Sequence, residues 1–183
     1  MPQFPKLEQP EATSSEIHMH PLKARKGPRP TRSESGYDLR PLATAERERA
    51  AQSLTPEERF VILNQGTERA FCGTLLNNKQ AGLYACRLCG LPLFRANAKF
   101  ESGTGWPSFY EPFDKDHVVE LIDEGHGMIR VEIRCQRCDA HLGHVFDDGP
   151  PPTRKRYCLN SVSMQFFADG EEPPQVLAAA GQQ

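Results

Sequence analysis

Four of the six cysteines stand in two identical spacings, Cys86-Arg87-Leu88-Cys89 and Cys135-Gln136-Arg137-Cys138, with 45 residues between them, positions 90 to 134. A Cys-x-x-Cys turn presents two thiolates to one side, and two such turns brought together supply the four ligands of a closed tetrahedral zinc site. A closed site has no open coordination position and cannot activate water, so the job expected of it is structural. The competing use, a redox dithiol, needs a helix N-terminus beneath it, and Leu91-Pro92-Leu93-Phe94 suggests none. Cys72 and Cys158 are left for other work.

Three consecutive cations, Arg154, Lys155 and Arg156, precede Cys158. A thiol with pKa near 8.5 is only about 3% ionised at neutral pH, whereas one lowered to about 6.5 by nearby positive charge would be mostly thiolate. Period-2 alternation also sends Arg156, Cys158 and Asn160 to one face of a strand. The plainer alternative is a buried structural cysteine. Upstream, His141 and His144 offer ring nitrogens that hold or give a proton near neutral pH, and Asp147 or Asp148 could orient one of them. The one tryptophan, Trp106, sits in a glycine-rich loop, Ser102-Gly103-Thr104-Gly105-Trp106-Pro107, where it serves either as core or as the wall of a pocket.

The elements that must position these groups follow from local signals. Thr55-Pro56-Glu57-Glu58 reads as a capped helix start. Phe60 and Leu63 then fall on one face, before Gly66 stops it; a weaker helix over 45–53 precedes it. From Cys72 onward the pattern is of strands and turns. Ile129, Val131 and Ile133 alternate with Arg130, Glu132 and Arg134, which predicts a half-buried strand delivering Cys135. Val118–Ile122 is its hairpin partner across 123–127. The segment 157–166 reads as one strand with Cys158, Asn160, Val162, Met164 and Phe166 on one face.

A chain of 183 residues can bury a sizeable core without disulfides. Its formal charge of -2 implies no strongly basic face, which weighs against nucleic acid as a partner. No long apolar run suggests a membrane span and no export signal is evident, so the chain reads as soluble and cytoplasmic, with cysteines in a reducing compartment. Residues 1–35 hold six of the sixteen prolines and few large apolar groups, so they read as a disordered tail. The remaining divisions expected are a linker or weak helix over 36–53, a domain over 54–170 and a C-terminal tail over 171–183.

Taken together, Ser102-Gly103-Thr104-Gly105-Trp106-Pro107-Ser108-Phe109, His141-Leu142-Gly143-His144-Val145-Phe146, Asp148-Gly149-Pro150, Arg156-Tyr157-Cys158, Asn160-Ser161 and the paired Cys-x-x-Cys units resemble the B-class methionine-R-sulfoxide reductases. The resemblance covers about residues 54–168. It implies a mainly β fold of two antiparallel sheets braced by one structural zinc per chain on Cys86, Cys89, Cys135 and Cys138, with short N-terminal helices and no organic cofactor. It implies that a Cys158 thiolate attacks the sulfoxide sulfur of protein-bound or free R-methionine sulfoxide and becomes a sulfenic acid. His144, with His141 and Asn160 nearby, would protonate the sulfoxide oxygen, and Asp148 would polarise the histidines. Arg156 would keep Cys158 ionised, and Trp106 would wall the substrate's methyl group.

Thr104 departs from the commonest family pattern, which places the resolving cysteine there. Cys72 is the thiol that remains, so the resemblance implies a Cys158–Cys72 disulfide that thioredoxin reduces, with Gly73 as a hinge. A monomer suffices for this scheme, with oxidised proteins or peptides as substrates and no nucleic acid or membrane as partner. Two rival readings are a zinc-ribbon interaction or nucleic-acid module without turnover, and a ligand-binding domain on the same scaffold.

Overall fold

The structure is a computed structural model that describes residues 29–171 and 173. Most of the expected N-terminal tail, residues 1–28, and nearly all of the expected C-terminal tail lie outside the described residues. Fold contacts begin earlier than position 36: Arg32 bridges to Asp38, and the Ser35 N–H donates to Asp114 at 2.9 Å.

Two helices open the domain, α1 at Thr44–Ala51 and α2 at Pro56–Asn64. The α2 start is a full capping box, in which the Glu58 N–H donates to the Thr55 hydroxyl and the Thr55 N–H donates to the Glu58 carboxylate at 2.8 Å. Glu58 also takes Arg87 at 2.6 Å, which ties the helix to the first Cys-x-x-Cys turn. The expected face is split, since Leu63 packs on the core and Phe60 does not. Val61 and Ile62 go inward while Phe60 is 55% exposed. Gln65, not Gly66, ends the helix, in the left-handed conformation at φ 58. Gly66 instead makes room for the Phe60 ring, which would lie 2.3 Å from a Cβ at that position.

Nine strands follow among the described residues: β1 Gly82–Cys86, β2 Pro92–Arg95, β3 Lys99–Phe100, β4 Ser108–Phe109, β5 Val118–Asp123, β6 Arg130–Cys135, β7 His141–Phe146, β8 Arg156–Leu159 and β9 Met164–Ala168. They form two antiparallel sheets, of order β2-β1-β9 and β3-β4-β8-β7-β6-β5. Aromatic rings fill the space between. Phe94 stacks on Phe109 at 4.7 Å, Tyr84 meets Phe109 edge-on at 5.0 Å, and Tyr157 packs on Phe94 at 5.6 Å. Truncating one of the fully buried rings to alanine costs about 3–5 kcal/mol.

Opposed residues of an antiparallel pair share a face, and neighbours along a strand alternate. Phe109, Tyr157 and Val145 are register partners and face the small sheet. Ser108, Cys158, His144 and Glu132 therefore form a row on the opposite face. α2 packs against β7.

Two strand expectations need correction. The stretch 157–166 is two strands in different sheets, because a 3-10 turn at Ser161–Ser163 carries the chain from β8 across to β9. And β6 is not half-buried: Glu132 and Arg134, expected in solvent, are 5% and 8% exposed, while Ile129 is 82% exposed. The polar side of β6 can be covered because its charges pair, Arg134 forking onto Glu132. Among the described residues no helix is long and apolar enough to cross a membrane.

Candidate active site

The two Cys-x-x-Cys turns fold alike. Gly90, at φ 70, donates its N–H to the Cys86 carbonyl at 2.9 Å; Asp139, at φ 62, does the same to Cys135 at 2.9 Å. Each turn needs one left-handed residue to close, and glycine takes that conformation without steric cost. The four Sγ atoms are buried and lie within 4.8 Å of one another, with Cys86 to Cys138 at 3.5 Å and Cys89 to Cys135 at 3.6 Å. These separations far exceed an S–S bond of about 2.05 Å and suit thiolates sharing one ion. The four residues could hold a structural metal.

Cys158 lies at the centre of the outward row, between Ser108 on β4 and His144 on β7. It is partly buried, and the Thr104 Oγ1 stands 3.8 Å from its Sγ. Thr104 is itself held at 2.8 Å by Ser102, which reaches Ser108 at 2.7 Å, so a chain of three hydroxyls runs beside the sulfur. Burial pushes the Cys158 thiol above its ordinary value, and the Thr104 hydroxyl and Arg156 guanidinium pull it down by less. The sequence expectation of a thiolate favoured by nearby cations is thus reversed, because desolvation outweighs them.

Each histidine is oriented by a carboxylate, and neither carboxylate is Asp148. His141 Nδ1 meets Glu132 at 2.6 Å, and Arg134 forks onto the same Glu132 at 2.8 and 3.0 Å. His144 Nε2 meets Asp123 at 2.9 Å, and Asp123 also accepts from Arg130 at 2.7 Å and the Gly125 N–H at 2.8 Å. Burial raises the Asp123 carboxyl, yet hydrogen bonds from His144, Gly125 and Arg130 outweigh it and hold the group well below the usual carboxylate range. Burial lowers His144, with Asp123 opposing, so the ring is neutral at pH 7. The nitrogen against a carboxylate then carries the proton. His144 therefore holds its N–H toward Asp123 and keeps Nδ1 as the lone-pair nitrogen. The two rings stand 5.6 Å apart, edge to face.

Asp148 instead clamps Arg156, at 2.8 Å through both oxygens, and the guanidinium lies 4.4 Å over the Phe146 ring. An arginine fork satisfies both carboxylate oxygens at once, which is why the acid goes there and not to an imidazole. Asn160 also differs from expectation. Its Oδ1 accepts from the Glu68 N–H at 3.0 Å and its Nδ2 donates to the Leu142 carbonyl at 3.2 Å, so the buried amide ties loops together. Trp106 is partly exposed, and its Nε1 donates to the Glu68 carbonyl at 3.2 Å.

Cys72 is exposed. Its neighbour Phe71 takes φ 64 and donates its N–H to the Gly105 carbonyl at 2.8 Å, beside Thr104. Gly73 packs closely on the turn that follows β8: a Cβ there would lie 2.1 Å from the Ser161 Oγ. The residues missed from the sequence are Glu132, Asp123 and Glu68. Asp123 stood in the expected turn and Glu132 on the expected solvent face, and no local signal marked either.

A SelR domain profile matches residues 54–168. The chain belongs to the SelR domain family. Relatives of this SelR chain are called peptide methionine sulfoxide reductase MsrB. One, from Caulobacter vibrioides, is 60% identical over 147 residues, covering 80% of this chain and 92% of its own length. Another, from Xylella fastidiosa, is 56% identical, covering 77% and 91%. A third, from Escherichia coli, is 50% identical, covering 70% and 93%. The SelR match spans the four cysteines, the histidine pair and Cys158, together with the loop that carries Cys72.

Proposed function

We propose that this chain reduces the R epimer of methionine sulfoxide in proteins to methionine through Cys158. The observation that carries the reading is Cys158 set directly opposite a neutral, carboxylate-oriented His144 on the outward face of the large sheet, in a chain of the SelR family.

The proton inventory follows from the two shifts. Cys158 rests as a thiol and His144 as a neutral base, so the proton the sulfoxide oxygen needs is the thiol's own, relayed by the lone-pair nitrogen of His144. The Cys158 sulfur bonds to the oxygen-bearing sulfur centre, the oxygen passes to Cys158 as a sulfenic acid, and the thioether leaves reduced. The Asp123 carboxylate stabilises the imidazolium formed in transit, and Glu132 fixes His141 beside it. Arg156 favours the transient thiolate. Trp106 supplies an apolar wall for the methyl group, and the shape of that wall selects the epimer. Asn160 acts by holding the substrate loops.

Cys72 then resolves the sulfenic acid as a disulfide, which thioredoxin reduces. The anchoring of both its neighbours on loops that border Cys158 supports this. Zinc is the metal assigned to Cys86, Cys89, Cys135 and Cys138, since an all-thiolate set suits it and a closed S4 site is structural; bound there it braces the small sheet against β6. The protein works as a cytoplasmic monomer, its domain over 54–170 carrying the segment from Arg32 through α1 packed on it.

The test is a dabsylated peptide carrying methionine R-sulfoxide, mixed with the protein and dithiothreitol. Turnover by the wild type and its loss in Cys158→Ser is the expected result. No turnover by either refutes the reading and favours a zinc-ribbon binding module.

A further inference from the structure

We propose that Glu68 is a positioning residue that clamps the Cys72 loop onto the end of β8, so that the sulfenic acid at Cys158 is met by Cys72 before an outside thiol reaches it. This rests on the function proposed above. Glu68 is an acid in a loop, yet it is 5% exposed. Its carboxylate accepts the N–H groups of Ser161 at 2.7 Å and Val162 at 3.1 Å, just past Cys158 and Asn160. Its own N–H donates to Asn160, and its carbonyl accepts from Trp106.

Five residues on, Gly73 presses against the same place, where a Cβ would lie 2.1 Å from the Ser161 Oγ and 2.6 Å from the Glu68 Oε1. On the other side of Cys72, Phe71 is pinned in the left-handed region by its bond to Gly105. A bulky residue stays in that region only where its surroundings over-determine it. Cys72 is thus strung between two anchors, one next to Thr104 and one on the Ser161 turn, and both border Cys158.

In the step this serves, the Cys72 sulfur attacks the Cys158 sulfur and the S–O bond breaks. The oxygen leaves as water, carrying its own proton and that of the Cys72 thiol. No further reductant enters. Glu68→Gln keeps the backbone bonds to Asn160 and Trp106. It replaces one of the two acceptor oxygens with a donor that cannot take an N–H.

The experiment uses full-length protein and one equivalent of peptide methionine R-sulfoxide without reductant, in the presence of dimedone, with methionine release and the state of Cys158 read by mass spectrometry. In the wild type, Cys158 is expected as the Cys72 disulfide. In Glu68→Gln, the ratio of dimedone adduct to disulfide per methionine released is expected to rise about tenfold. Loss of general structure would lower methionine release without moving that ratio. Gly73→Ala, which lifts the loop off Ser161, is the second variant and is expected to shift the ratio the same way. An unchanged ratio in both variants, with methionine released, overturns the clamp alone. A wild type that releases no methionine overturns the function reading and the clamp with it.

Discussion

The backbone of Gly143 lies so close to Cys158 that a Cβ on the glycine would sit 2.1 Å from the cysteine's carbonyl oxygen. The strand carrying the histidines and the strand carrying the sulfur are in register because this one position has no side chain. Gly143→Ala must therefore push β7 from β8, at a cost of about 1–3 kcal/mol. Methionine release is expected to fall while metal content stays at the wild-type level; unchanged activity and an unchanged denaturation midpoint would count against the tight register.

Burial raises the Cys158 thiol, so the protonated form dominates at neutral pH and the thiolate fraction climbs only as pH rises above the ordinary range near 8.5. The rate of iodoacetamide alkylation at Cys158 is expected to increase with a midpoint above that of a free cysteine. Thr104→Val removes one of the groups that oppose the shift, so its midpoint should move higher still. The same shift makes the folded state lose stability as pH climbs past the thiol's ordinary value, since the unfolded chain gives up that proton more readily. A midpoint below that of free cysteine would refute this account.

Glu132 accepts from both His141 and Arg134 in a buried setting. Removing one partner of a buried ion pair costs about 3–5 kcal/mol when the other charge is left uncompensated; Arg134 keeps Asp139 at 3.2 Å, so the loss here falls below that range. Glu132→Ala is expected to lower the urea midpoint accordingly and to cut turnover about tenfold or more, because His141 loses the group that fixes its tautomer. A variant with full stability would show that water serves Arg134 as well as the carboxylate does.

Zinc held by a structural site of this kind has an apparent binding energy on the order of 10–16 kcal/mol, comparable to the whole net stability of a domain at ~5–15 kcal/mol. Cys89→Ser, or prolonged chelation of the wild type, is expected to abolish the cooperative thermal transition seen by circular dichroism. Elemental analysis of the fresh wild type should give about one zinc per chain. A metal-free protein with an unchanged transition would overturn the bracing role.

Much of the site was legible because its chemistry is written in short spacings. The two Cys-x-x-Cys turns close through local hydrogen bonds, and the Thr55 capping box joins residues three apart, so both could be read from neighbouring letters. The strand at 130–135 and its hairpin partner showed for the same reason, through alternation.

What the chain order alone determined about this protein is the identity of its sulfur atoms, its imidazoles and the family they mark. The fold decided which acid serves which base. Asp148, near in sequence, went to Arg156, while Asp123 and Glu132 reached the histidines because β5, β6 and β7 lie side by side. It also decided the protonation of Cys158, since the loss of water around a sulfur depends on everything packed over it and not on the three cations that precede it. Burial and cross-strand pairing are properties of many distant residues at once, and no local pattern encodes them.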